Sequence, residues 1–374
     1  MGNQPFEKVT NYLLTLDPVH IGTGGYRLGR VDNTIVREPG TRLPKIPGSS
    51  ISGALRAYTA MAIQSSNSNH SVQPQEKDEK WTIDYPKYKN MKYQRPDYDF
   101  ELDGKTVKLE GDKAFIKSDP SGKQPMIKKG KDKKDRYCSC AGKGVDDGEG
   151  HCGGKDCPVC VAFGFSQGKE EGSSFQGLAQ FSDARILCFP VYSMIGPVWL
   201  TCESIWAEHS SLVSLKDKNR FISLGTSTHE KMNFGWIIMQ KEENNVLKNG
   251  NILNHVPEYI QNNLFLVADK VFSQLVNDNL EVRTSVAIDP LTGAAEHGAL
   301  FTYEAIPRAT VLWFDVIYSN PRYFRVNGKN ITKQDKNDAD IAWIKSQVTQ
   351  AHPYLEVLGI GGMNTRGMGR VQIL

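Results

Sequence analysis

Five of the seven cysteines fall between Cys138 and Cys160, in the runs CSC, HC and CPVC. A Cys-x-x-Cys pair facing a second close pair is the spacing that wraps a tetrahedral zinc ion. We assign Cys138, Cys140, Cys157 and Cys160 as the ligands, with Cys152 or His151 as the substitute if one drops out. Four protein ligands leave no open position, so the ion is expected to be structural rather than catalytic. The intervening AGKGVDDGEGHCGGKD is too polar and glycine-rich to fold without such a staple. Cys188 and Cys202 sit in apolar runs and read as core residues.

A second chemistry lies in the stretch from Val19 to Arg56, which carries an aspartate, Asp32, between Arg30 and Arg37. A lone loop aspartate is ordinarily a turn residue or a cap. Among basic residues and glycines it is also placed to hold Mg²⁺ beside a phosphodiester or to orient a nucleophile. The same stretch ends in IPGSSISGALR, where Pro44 and Pro47 exclude helix up to Gly48-Ser49-Ser50. That start supplies an N-cap and free amides that suit phosphate. His20, at the end of the preceding strand, reads as a packed structural histidine or as an RNA contact. Near the C-terminus, GIGGMNTRGMGR brings Gly361, Gly362, Arg366 and Arg370 together, either as a tight turn or as a phosphate contact. It is not a dinucleotide fingerprint, because it runs from a helix into a strand. Arg283 lies in LEVRTSVAIDPLTGAAEHGALF, which reads as a hairpin whose apolar residues serve as a wedge between bases or as an oligomer contact.

The elements that must position these groups follow from periodicity. VTNYLLTLDPVHIG alternates as a first strand, and SSISGALRAYTAMAIQ is an amphipathic helix with Ile51, Leu55, Tyr58 and Ala62 on one face. Residues 67–155 are polar and charged with aromatic islands, and are read as an insertion without a core of its own, stapled at its end by zinc. GLAQFSDARILCFPVY, GPVWLTC, GWIIMQ and ATVLWFDVIYS read as strands. VPEYIQNNLFLVADKVFSQLVND reads as one helix with Ile260, Leu264, Val267 and Val271 in line, and DADIAWIKSQVTQAHPYLEVLG as another. This order predicts an α+β fold, a ferredoxin-like or RRM-like antiparallel sheet palm with a hairpin thumb at 280–307 and the zinc-stapled insertion. Residues 1–66 and 156–374 form the core in this reading.

Length and composition set the outer bounds. A chain of 374 residues with 39% hydrophobic and 23% charged residues builds one or two ordinary globular domains. No apolar run is long enough to span a bilayer, and MGNQPFEKV lacks the charged-then-apolar pattern of a signal peptide, so a cytoplasmic location and no membrane partner are expected. Net charge is only +3, but Lys128, Lys129, Lys131, Lys133 and Lys134 cluster within the insertion, as a solvated face or as a phosphate-contacting arm.

HIGTG after the first strand, IPGSSISGALR at the helix start, CPVCVAFG before GLAQFSDARIL, the hairpin followed by EAIP, and the terminal GIGGMNTRGMGR together resemble the RAMP superfamily. The resemblance is to the backbone subunit of type III CRISPR effector complexes, and VDNTIVRE points to the Cmr, type III-B, version rather than Csm. It implies an RRM-like palm that assembles head to tail with copies of itself or related subunits along a guide RNA (crRNA). It places the PGSS helix start (Ser49, Ser50) and the glycine-rich loop against the guide backbone. It implies a thumb that interrupts the guide–target duplex at regular intervals. The family's loop aspartate, which supports metal-dependent cleavage of target RNA, falls here on Asp32. Family members often carry Lys in the segment after PGSS, where this chain has Ser52, leaving Arg56 for the phosphate contact. Two alternatives follow from the same resemblance: a non-catalytic RNA-binding subunit, or a stand-alone guide-processing nuclease with His20 as general base.

Overall fold

A computed structural model of the chain describes residues 4–24, 31–66, 80–83, 100–102, 105–110, 113–117, 140–142, 151–166, 174–210, 213–243 and 254–374. Its frame is one large sheet built from β1 (Phe6–Thr15), β2 (Ala179–Phe181), β3 (Ala184–Ser193), β4 (Gly196–Cys202), β5 (Arg220–Ser223), β6 (Lys231–Phe234), β7 (Ile237–Lys241) and β8 (Leu264–Val267). It is completed by β11 (Val311–Ser319) and β12 (Val371–Ile373), while β9 (Glu281–Ile288) and β10 (Ala295–Ala305) form a separate two-stranded sheet. The strand order is β6-β7-β5-β8-β4-β3-β11-β1-β12, with β2 pairing the edge of β11.

An inner strand of this sheet is β11, whose VLWFDVIYS is apolar at nearly every position because both faces are covered. It pairs antiparallel with β1 (Val9 opposite Val316, Leu13 opposite Leu312) and with β3 (Ile186 opposite Leu312). Elsewhere the sheet is mixed: β4 runs parallel to β8, and β5 parallel to β7. The sequence reading expected antiparallel pairing throughout, and the source of the difference is local. LFLV in β8 is four consecutive buried residues. Its apolar positions fit a helical period when read with the flanking segments, yet a short run of this kind is also what a strand covered on both faces looks like. The expected single helix over 256–278 is therefore α4 (Glu258–Gln261), strand β8, then α5 (Asp269–Asp278). The expected last helix also divides, into α6 (Ile341–Thr349) and α7 (His352–Val357). Asp340 caps α6 through the Trp343 amide, and Pro353 forces a fresh start for α7.

Helix α1 (Gly48–Ser66) packs Ile51, Leu55 and Ile63 into the main core. It also packs on α2 (Pro158–Phe163), while α3 (Glu203–His209) packs on β4. Within the insertion, Lys80–Ile83, Phe100–Leu102, Lys105–Glu110 and Lys113–Lys117 pair into a four-stranded antiparallel sheet, which the absence of an apolar period had not suggested. The lysine run lies outside the described residues. No helix among the described residues is long and apolar enough to cross a membrane.

Candidate functional site

Segment 31–37 has no regular structure of its own and takes its path from strand β10. Asn33 donates from its amide to the Thr302 carbonyl (3.0 Å), and the Glu304 amide donates to the Asn33 carbonyl (3.0 Å). The Asp32 side chain is exposed, and its Oδ2 accepts from both the Thr302 amide (2.7 Å) and the Thr302 hydroxyl (2.9 Å). These bonds, the amide first, hold the Asp32 carboxyl below the usual carboxylate range, so it is ionised at neutral pH. Its Oδ1 has no hydrogen-bond partner among the described residues. One fixed and one open carboxylate oxygen is an arrangement that fits Mg²⁺, which takes one or two carboxylates and completes its shell with water and phosphate oxygens.

The arginines around this acid are mostly engaged. Arg37 pairs with Glu304 (2.9 Å) and also donates to Asn277 Oδ1 (3.0 Å) and the Ile35 carbonyl (3.1 Å), which pins the far end of the loop to β10. Arg30 lies outside the described residues. His20 is 7% exposed and its Nδ1 lies 2.6 Å from the Glu304 carbonyl. A carbonyl only accepts, so Nδ1 carries the proton and neutral His20 keeps Nε2 bare. The ring also meets Tyr303 edge-on. This is the packed histidine of the two sequence readings.

The C-terminal glycines close against the same strand end. Gly362 donates to the His20 carbonyl (2.9 Å), and a Cβ on Gly361, whose φ is +85°, would lie 2.5 Å from that oxygen. Arg370 forms a two-pronged pair with Asp17, Arg366 reaches Ser285 (3.4 Å), and Arg283 pairs with Glu281 and reaches the Gly367 carbonyl (3.3 Å). The acid loop and the glycine-rich loop thus both contact the base of the hairpin. The hairpin is an antiparallel ribbon with Thr284 opposite Thr302 and Val286 opposite Leu300, turning through residues 289–294 as DPLTG suggests.

The start of α1 differs from the expected cradle. The Gly48 amide donates to Asp183 Oδ1 (2.8 Å), and the Ser50 and Ile51 amides turn back to the Pro47 carbonyl. The cap is therefore a carboxylate from the β2–β3 turn, which also accepts from Lys45 (2.6 Å), and not Ser49 or Ser50. Gly48 is obligatory here, because a Cβ would lie 2.4 Å from the Phe181 carbonyl. Ser49 remains exposed, with Ser50 and Ser52 partly so.

Arg56 is turned inward instead of toward a phosphate. Its guanidinium donates to the carbonyls of Cys140 (2.7 Å) and Gly164 (2.9 Å) and lies 3.0 Å from His151 Nδ1. Beside it, Cys140, Cys152, Cys157 and Cys160 converge, their sulfurs all within 4.8 Å of one another. Cys152, the alternate of the sequence reading, is one of the four, and Cys138 lies outside the described residues. His151 faces Arg56 and is not in the cluster. Zn–S bonds of about 2.3 Å at tetrahedral angles put sulfurs about 3.8 Å apart. The separations of 3.4, 3.7 and 3.9 Å for Cys160–Cys140, Cys152–Cys160 and Cys157–Cys140 match that shape. The four thiols thus fit a closed, structural zinc site. Amides of Cys152 and Gly154 point at the Cys140 and Cys152 sulfurs (3.4 Å each), which supports thiolate ligands, and Arg56 offsets part of their charge. Cys188 and Cys202 are buried in β3 and β4, as expected.

The sequence from 12 to 372 matches the model of the RAMP superfamily, and the chain belongs to that family. Within it, the chain is 26% identical over 230 residues to the CRISPR system Cmr endoribonuclease Cmr4 of Pyrococcus furiosus, a match covering 56% of this chain and 72% of that protein. A shorter match, 41% over 58 residues, is to the Csm3 endoribonuclease of Enterococcus italicus and covers 15% of this chain and 27% of that protein. Among solved structures, a chain of the type III-B Cmr-beta complex bound to cognate target RNA shares the fold over 99% of this chain and 98% of its own, with TM-score 0.53 and 13% identity. Oligomeric Cmr4 from Pyrococcus furiosus does so over 99% of each chain, with TM-score 0.50 and 16% identity. The resemblance to a type III-B backbone subunit read from the motifs holds.

Proposed function

We propose that this protein is the guide-RNA-binding backbone subunit of a type III CRISPR ribonucleoprotein and cleaves the bound target RNA at Asp32. The observation that carries this reading is the ionised, exposed Asp32 carboxylate held on strand β10 near the base of the hairpin. In this reading the α+β core is an RRM-like palm spanning 1–66 and 156–374, and the hairpin is a thumb that displaces a target nucleotide. Ser49, Ser50 and Ser52 at the helix start, with Gly361 and Gly362, lie along the guide, and Arg366, Arg370 and Arg283 supply charge along the same face. The partners are guide RNA, target RNA, other effector subunits and head-to-tail copies, and the complex works in the cytoplasm. Mg²⁺ or a similar ion, held by Asp32 Oδ1 and phosphate oxygens, would supply charge stabilisation at the scissile phosphate.

Splaying a nucleotide lets its 2′-oxygen reach in-line geometry with the adjacent phosphorus. The new bond is O2′–P and the broken one P–O5′. The products are a 2′,3′-cyclic phosphate and a 5′-hydroxyl, the proton from O2′ being lost and one gained at O5′. The test is a target RNA with a single 2′-deoxy nucleotide at one mapped cut. We expect that cut alone to vanish. Undiminished cutting there would contradict attack by the neighbouring hydroxyl. Guide processing by His20 as general base is disfavoured, since its ring is 7% exposed and its Nδ1 is bound to Glu304.

A further inference from the structure

Asp32 is an exposed side chain on an irregular loop, and a free aspartate there would sample several rotamers. Three hydrogen bonds to one residue prevent this. Thr302 gives both its amide (2.7 Å) and its hydroxyl (2.9 Å) to Asp32 Oδ2, and the same hydroxyl oxygen accepts from the Asp32 amide (3.1 Å). Backbone and carboxylate of Asp32 are therefore both clamped by one hydroxyl, and Oδ1 has no hydrogen-bond partner among the described residues. Two residues along the strand, Glu304 secures the other end of the segment through Arg37 and the Ile35 amide (3.4 Å). Two residues the other way, on the same face by strand periodicity, Leu300 stands 67% exposed opposite Val286. The acid is thus aimed by the strand that carries the exposed apolar end of the hairpin.

We propose that Thr302 is a positioning residue for cleavage: its hydroxyl fixes the Asp32 carboxylate so that one oxygen faces the scissile phosphate, and so links the acid's aim to the placement of the hairpin. This rests on the reading of Asp32 as the cleaving acid. Thr302 touches no reacting atom, so its removal should lower the rate without weakening target binding.

The experiment uses the assembled complex with Thr302→Val, Thr302→Ser and Asp32→Ala subunits, and measures single-turnover target cleavage and target affinity separately. Valine keeps the shape and the main-chain amide but removes the hydroxyl, while serine keeps the hydroxyl. We expect Thr302→Val to cut about 10- to 100-fold slower at saturating target with affinity within about twofold, the scale of a lost hydrogen bond to a charged group. Thr302→Ser should recover to within about threefold. Thr302→Val cutting at the unmodified rate, while Asp32→Ala is inactive, would overturn the role of Thr302 alone. Equal losses in the valine and serine variants, or a loss of target affinity, would make Thr302 a merely structural residue and likewise overturn it. Full activity in Asp32→Ala would instead remove the reading on which the inference stands.

Discussion

Complexes assembled with Asp32→Ala subunits should bind target RNA as tightly as the unmodified ones and cut it about 10²- to 10⁴-fold more slowly, the scale on which a single positioned catalytic group contributes. The Asp32 side chain is exposed, and its contacts run to Thr302 at the surface, so its loss costs the fold little. Asp32→Asn is the sharper variant. It keeps the shape and can still accept from Thr302, but it removes the charge that a divalent cation needs. Both variants should therefore fail to recover when Mg²⁺ is raised, whereas the unmodified complex should lose cutting when divalent ions are withdrawn and regain it on their return. Single-turnover cleavage against Mg²⁺ concentration measures this. Retained cutting by Asp32→Asn would move the catalytic role elsewhere.

Withdrawing the zinc should have the largest effect on stability. Cys140, Cys157 and Cys160 are fully buried and held within thiol contact, where without a cation Cys157 and Cys160 oppose ionisation. Hydrogen bonding among the sulfurs pushes Cys157 and Cys160 well above the ordinary thiol range. A bound dication reverses that by making thiolates of all four, and structural zinc in small modules is worth about 10 kcal/mol or more at neutral pH. Here part of that figure is offset by the core contacts that α2 makes independently with α1 and α6. We expect about one zinc per chain by elemental analysis. Chelation should lower the melting temperature by more than 10 °C, on the order of a loss of several kcal/mol in a chain of this size. Cys157→Ser should do the same and should no longer respond to chelator. An unchanged melting temperature after full metal removal would contradict the structural assignment. Because the cluster is closed, removing zinc while Mg²⁺ is kept saturating should act on folding before it acts on cleavage.

Much of the architecture was legible because it rests on strong local patterns. β1, α1, the hairpin and β11 lie where alternation, helical spacing or a DPLTG turn put them. What was not legible depended on tertiary context. LFLV is a helix by spacing and a strand by its burial on both faces, which only the neighbouring β4 decides. The helix-capping serines were overruled by Asp183, which arrives from a turn more than a hundred residues later in the chain. Arg56 looked like a phosphate ligand beside PGSS, but one helical turn past Ser52 it faces the thiol module and not solvent. Around the acid, Asp32 could be picked out by its basic neighbours, whereas Thr302 and Glu304 could not. Their roles depend on the register that lays loop 31–37 against β10, and no spacing in the sequence encodes that register. The EAIP motif containing Glu304 was the one available signal.

The central claim is that this chain lines a guide RNA, and the most direct measurement is the sequence of the RNA that co-purifies with it from cells carrying its native complex. The account predicts a ladder of short RNAs of differing guide sequence that share one repeat-derived end. Random cellular fragments, or no retained RNA, would contradict it.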